Sequence, residues 1–310
     1  MPLPIVCEGE QSPIELADLV EVLEQDFDPS DEEGMAQWGP MLQRLANNRR
    51  FLGDLAIAEL KQHFAGQTAR NQYSAQVMLL HGLSRKFVLR ANFWPAENDS
   101  VYANSGPQPF FYGLPHDHNF SFLTVGYLGP GYWSDYYEYD YGRVVGCPGE
   151  EVDLRFVERS CLSPGKVLLY RKHLDVHSQL PPDSLSVSLN ILAVSAASEF
   201  QEQYSFDLAS SRVAAMVNPS ALETFVRLAA VFGGGNGQDL VEDFAERHPS
   251  DRIRFAAWRA KAAAAPNVDA RIAVYEEAAA RMTGLTAALA AREAEQVRAG
   301  RAWIEQDIAA

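Results

Sequence analysis

Between residues 86 and 195 the chain changes its period, and that change limits what it can fold into. Phe87-Val-Leu-Arg-Ala-Asn-Phe-Trp94 alternates and stops at Pro95. Pro109–Gly113, Asn119–Tyr127, Tyr132–Tyr141, Val152–Val157, Lys166–Tyr170 and Leu185–Leu192 are rich in aromatic and β-branched residues. Leu128-Gly-Pro-Gly131 and Ser163-Pro-Gly165 punctuate them as turns. Side chains on a strand alternate between faces, so such runs suit sheets that bury one side. About eight short strands separated by turn signals predict an antiparallel sandwich or barrel.

The flanks read differently. Residues 1–85 carry apolar residues at helical spacing over Ile14–Phe27 and Met41–Leu60, and a further helix is expected over Ala69–Leu83. In residues 196–310, Asn218-Pro219 has the form of an N-cap followed by proline, and Asn267 precedes a long Ala-rich helix with Ile272, Tyr275, Met282 and Leu289 on one seam. The expected organisation is therefore an N-terminal helical region (1–85), a β region (86–195) and a C-terminal helical region (196–310). The last helices are the candidate surface for a homodimer.

Net charge is −15 and the sequence pI about 4.9, which argues against nucleic acid or an anionic membrane as partner. No apolar run approaches the roughly 20 residues of a membrane span. The N-terminus lacks the basic and apolar regions of a signal peptide, and Cys7, Cys147 and Cys161 are too scattered for a disulfide scaffold or zinc ribbon. A cytoplasmic location is expected.

The candidate chemistry sits in two stretches of the β region. Pro115-His116-Asp117-His118 places two imidazoles two residues apart, on one face if the segment is extended. About 60 residues later comes His173-Leu-Asp-Val-His177. A third histidine from a neighbouring strand would complete a three-nitrogen set with open positions, the pattern of a catalytic rather than a structural metal site. His177 is preferred over His173, which is flanked by Arg171 and Lys172, an unfavourable setting for a cation. A fourth ligand is available in Glu138, within Tyr136-Tyr-Glu-Tyr-Asp140. If Glu138 faces the interior it needs a cation partner, the metal or an arginine such as Arg90; the other reading puts it on an exterior strand face. Tyrosines in this run suit substrate walls, hydrogen-bond donors or core; Tyr139 and Arg90 are the candidate catalytic residues.

Residues 87–195 resemble the cupin superfamily of jelly-roll barrels. The first cupin motif has the form G-x5-H-x-H-x(3,4)-E-x6-G. Here Gly113, His116, His118 and Gly126 stand in its context, but Phe122 and Leu123 occupy the glutamate positions. The second motif is matched loosely by Ser163-Pro164-Gly165, the late histidines and Asn190, with a longer gap before the histidine. The resemblance implies an α+β chain with an antiparallel jelly-roll barrel between helical regions. The absent glutamate makes it similar to three-histidine iron enzymes such as the thiol dioxygenases. It implies a divalent metal, Fe(II) first and Zn, Cu, Ni or Mn as alternatives, and a dioxygenase acting on dioxygen and a small organic substrate. A carboxylate on that substrate would find a bidentate partner in Arg90. The alternative is a non-catalytic metal-binding cupin acting as a sensor or interaction module.

Overall fold

The computed structural model describes residues 1–82 and 84–303. These divide into two compact units: Met1–Tyr141 with Glu151–Arg212, and Gly142–Glu150 with Val213 onward.

The first unit combines helices with antiparallel sheets. Its strands are β1 (Leu3–Ile5), β2 (Val77–Leu79), β3 (Phe87–Trp94), β4 (Phe122–Leu128), β5 (Trp133–Glu138), β6 (Arg155–Cys161), β7 (Val167–Tyr170), β8 (Asp175–Gln179), β9 (Ser186–Ala193) and β10 (Tyr204–Asp207). Six of them form a sheet in the order β1-β7-β4-β9-β3-β2, and three form a second sheet, β6-β5-β8. The β region thus makes two antiparallel sheets with a shared interior.

Alternation decides which side of the larger sheet meets what. Leu89 on β3, Leu123 on β4 and Leu189 on β9 pack against Leu19 and Leu23 of α1 (Leu16–Asp26) and Leu42 of α2 (Gly39–Asn47). The opposite positions, Trp94, Phe122, Leu168 and Leu192, join Tyr136 of the smaller sheet in a second cluster. The Tyr136 and Tyr170 hydroxyls, 3.0 Å apart, tie the two sheets across this interior. A one-residue slip in β4 or β9 would exchange the two sets, so burial on both sides fixes the register. Gly126 permits a close approach here, because a Cβ would lie 2.2 Å from the Ser163 carbonyl oxygen.

Several local expectations change. The helix expected over Ala69–Leu83 is instead α4 (Ala65–Arg70) followed by strand β2, and position 83 lies outside the described residues. Gln67 explains the turnover: its side-chain amide bonds both the N–H and the carbonyl of Leu79 at 2.9 Å and so caps the edge strand. Met41–Leu60 is two helices, α2 and α3 (Phe51–Lys61). Pro109–Gly113 is a 3₁₀ turn plus a single bridge at Tyr112 rather than a strand. A short helix, α5 (Ser100–Ser105), precedes it.

The second unit holds a short strand, β11 (Arg212–Met216), which begins at the last residue of the first unit, and five helices: α6 (Leu222–Phe232), α7 (Gly234–Arg247), α8 (Asp251–Ala263), α9 (Val268–Arg281) and α10 (Gly284–Ala299). Trp258 is fully buried at its centre and donates its indole N–H to the Ala245 carbonyl at 3.1 Å. Alanines at 257, 278 and 290, all fully buried, let the helices approach closely. Asn267 caps α9 through the Ala270 N–H, as its position suggested, whereas α6 starts at Leu222, after Ala221 rather than Asn218. The single long last helix is two. Met282 and Thr283 are extended and Gly284, at φ +58°, turns the chain before α10. No helix among the described residues is long and apolar enough to cross a membrane.

Candidate metal centre

The two histidine stretches meet because Pro115–His118 runs between β8 and β10. His116 and His177 exchange both backbone hydrogen bonds, at 3.1 and 3.0 Å, so they sit directly opposite each other. On the other side Asp117 N–H donates to the Tyr204 carbonyl and Phe206 N–H to the Pro115 carbonyl. His118 lies two residues beyond His116 and turns to the same interior.

One ligand-capable nitrogen each from His116, His118 and His177 comes within 4.8 Å of the others. All three side chains are buried. Burial holds the His116 imidazole down to about 4, with the Arg90 charge adding to the effect. His118 and His177 lie well below the usual histidine range, first through burial and then through their histidine neighbours. All three are therefore neutral at physiological pH, the form a metal binds.

The hydrogen bonds support a metal at this point. His116 Nδ1 is 2.8 Å from the Leu114 carbonyl, which can only accept. Nδ1 must carry the proton, which leaves Nε2 its lone pair. His118 Nε2 and His177 Nε2 are 3.0 Å apart, so a proton or a cation has to lie between two otherwise repelling lone pairs. Two nitrogens bound to one ion at about 2.1 Å and a right angle would stand about 3.0 Å apart. The outer nitrogens of these two rings face side-chain amides, Gln203 for His118 at 3.2 Å and Gln179 for His177 at 3.0 Å. Gln179 Oε1 is buried without a hydrogen-bond partner. A half-turn of that amide would set Oε1 against His177 Nδ1–H, although the same amide position also lies 3.2 Å from His177 Nε2. The residues fit a divalent metal held by three imidazole nitrogens.

Asp117 points away from the histidines, as alternation requires, and is fully buried. Its Oδ2 accepts from the Tyr139 hydroxyl at 2.5 Å and its Oδ1 from the Tyr204 N–H at 2.6 Å. Burial raises its carboxyl to about 7, against the lowering by those two donors. Tyr139, expected at the reacting end, is thus engaged with Asp117, where it positions the segment carrying two of the histidines. Gln179, Gln203 and Asp117 were not singled out as positioning residues from sequence. Only Gln179 carried a signal, being two residues from His177 on the same strand face.

The structure does not bring Glu138 or His173 to the histidines. Glu138 Oε1 is 2.6 Å from the Met1 amino group and 2.8 Å from Arg171, and Oε2 contacts Arg155. The Met1 amino group is the main cause holding this carboxyl down at about 2, with Arg171 adding to it. The cation that Glu138 calls for is an ammonium and two guanidiniums, so Glu138→Ala should leave the metal content of purified protein unchanged by elemental analysis. His173 has a left-handed backbone (φ 57°) and stacks on Tyr141, ring centroids 3.6 Å apart.

Solved structures similar to parts of this chain include a cupin domain and two metabolic enzymes. A cupin domain from Bordetella pertussis is 12% identical, with a TM-score of 0.24, over 40% of this chain and 98% of its own. Hydroquinone 1,2-dioxygenase PnpCD, in complex with Cd2+ and 4-hydroxybenzonitrile, is 12% identical over 44% of this chain and 76% of its own, with a TM-score of 0.25. A structure of the DMSP lyases RdDddP and RnDddQII gives 12% identity and a TM-score of 0.23 over 39% of this chain; the chain spans 44% of that protein. No family model and no curated protein matches the chain.

The neutral histidines fix a pH dependence. His116 and His173 each have a folded value near 4 against 6.5 for the free group, and burial also holds His118 and His177 well below it. A depressed value means the unfolded chain binds more protons, so stability is lost as pH falls through 6.5 towards 4 and below. Asp117, raised from 3.8 to about 7, works in the opposite sense, losing stability as pH rises through that window. His248 is lowered by burial as well, so with five histidines against one carboxyl the metal-free protein should become less stable on acidification. Urea unfolding at pH 7.5 and pH 5 checks this.

Proposed function

We propose that this chain is a metal-dependent cupin enzyme, a mononuclear non-haem iron dioxygenase acting on a small organic anion. The observation that carries the reading is the meeting of three buried, neutral imidazoles in the interior between two sheets. Three nitrogen ligands leave positions open on an ion. A bound metal would supply Lewis acidity, a template for substrate and dioxygen, and redox capacity.

The remaining roles belong to the chain. Arg90 on β3, Asn190 on β9 and Thr124 on β4 are paired in register across three adjacent strands and share the inward face. Arg90 Nε, Asn190 Nδ2 and Thr124 Oγ1 are all buried without a hydrogen-bond partner, and so is Asn92 Oδ1, two residues along β3. Unmet buried polar atoms are costly, so this row suits a polar ligand. The Arg90 guanidinium lies over the Tyr73 ring at 4.9 Å and acts on His116 and His118, with no carboxylate among its partners. It is suited to hold an anionic group of the substrate. Trp94 and Tyr132, stacked at 4.0 Å, supply an apolar wall that excludes water.

Iron-loaded protein tested on an oxygen electrode against a panel of small organic acids should consume dioxygen with at least one of them, and His118→Ala should abolish this. Metal-loaded protein that consumes none across the panel would contradict the dioxygenase reading and favour the binding-module alternative.

A further inference from the structure

The second unit contains a cavity of about 340 Å³ between α6, α8 and α9. That volume lies within the range of small-molecule sites. Its apolar wall is built from small side chains, among them Ala230, Ala256, Ala260 and Ala263, with Tyr275 at one side. Three arginines enter it from three helices: Arg227 from α6, Arg259 from α8 and Arg271 from α9. Glu223 is the one acid on the wall, which leaves the lining net positive.

These arginines differ from most basic residues of the same unit. Arg247 pairs with Asp243, Arg254 with Asp251, Lys261 with Glu242, Arg281 with Glu246 and Glu277, Arg298 with Glu276, and Arg301 with Asp269. Among the described residues, the three arginines of the cavity form no ion pair. In a chain of net charge −15 an acid partner is easily found, so three unpaired guanidiniums on one cavity are unusual. The Arg271 Nε is moreover buried and has no hydrogen-bond partner, an unmet donor beside a space large enough to hold its acceptor. Next to the arginines, Val231 is 72% exposed, so the cavity opens beside apolar surface.

We propose that this cavity binds a small amphipathic anion, a carboxylate or phosphate group on a compact apolar body. The charged end meets Arg227, Arg259 and Arg271. The apolar body covers the alanine wall and Val231. The site is separate from the histidine centre and does not depend on its metal.

Calorimetry on the full-length protein tests this with three probes: octanoate, octanol and inorganic phosphate. Octanoate should bind with one-to-one stoichiometry, and tighter than either of the others, because it alone satisfies both halves of the site. Arg259→Gln, at an exposed position, should weaken octanoate about tenfold or more, the loss expected for a charge-assisted hydrogen bond, and Arg271→Gln should do likewise. Ala264, just after α8, also lines the cavity, and Ala264→Trp, which crowds it without removing charge, should abolish binding. Affinity should be unchanged in His118→Ala protein. Octanol binding as tightly as octanoate, phosphate binding in preference to it, or octanoate affinity unaffected by Arg259→Gln, Arg271→Gln and Ala264→Trp would each overturn the proposal.

Discussion

Removing metal from the purified protein with a chelator should lower its melting temperature by about 5–10 °C. An ion that binds only the folded state and is present at 100 times its dissociation constant adds about 2.7 kcal/mol. A unit of about 200 residues shifts by roughly 2–4 °C per kcal/mol. The folded histidines stay neutral well below pH 6.5, so protons should not oppose metal binding there and the effect should persist down to about pH 5. His116→Ala or His177→Ala should remove most of the chelator effect, while Glu138→Ala should retain it in full. Differential scanning calorimetry with and without chelator reads all of these directly. The histidines are held in place by backbone pairing between His116 and His177, so the metal-free unit keeps its fold and unfolds at the lower temperature.

Asp117→Ala should be the most damaging single change near the centre that touches no metal ligand. The fully buried carboxylate accepts two hydrogen bonds, from the Tyr139 hydroxyl and the Tyr204 N–H. Truncation leaves both donors unpaired in the interior, at about 1–3 kcal/mol each. The loss of about 2–6 kcal/mol should come with weaker metal binding, since Asp117 fixes the backbone between two of the histidines. Asp117→Asn preserves the acceptor for Tyr204 and should cost less. Tyr139→Phe removes one donor together with its need, and should be milder than Asp117→Ala. Chemical denaturation of the three variants, with metal content measured in parallel, separates these effects.

The parts of the fold legible in the sequence were those with a clean period. Strands β3, β4, β5, β7 and β9 fall within the alternating or aromatic runs, because each is buried on one or both sides by partners that demand a strict register. The edges were not legible. β1 is three residues long, and β2 lies where the composition suits a helix; what makes it a strand is the Gln67 side chain bonding to Leu79, a tertiary contact. The break in the last helix also left little trace, since Met282-Thr-Gly284 interrupts an Ala-rich pattern without a proline.

At the site, the i and i+2 spacing of His116 and His118 was readable, and so was the choice of His177 once extended structure was assumed. Glu138 misled because a carboxylate among aromatics asks for a cation, and sequence spacing does not reveal that the Met1 amino group and Arg171 supply it. The sequence leaves the tyrosines of that run open as substrate walls, hydrogen-bond donors or core; the Tyr139 hydroxyl is directed to Asp117 by a contact between segments 22 residues apart. The unmatched polar row of Arg90, Asn190 and Thr124 depends on cross-strand register, which no single strand carries.

The most direct test of the central claim is an anomalous diffraction map from crystals of protein purified without chelators, collected on both sides of the iron absorption edge. A single strong peak about 2.1 Å from the Nε2 atoms of His116, His118 and His177 is the expected result. A metal peak elsewhere, coordinated at Glu138 or His173, or an empty histidine cluster in protein that has consumed dioxygen, would contradict it.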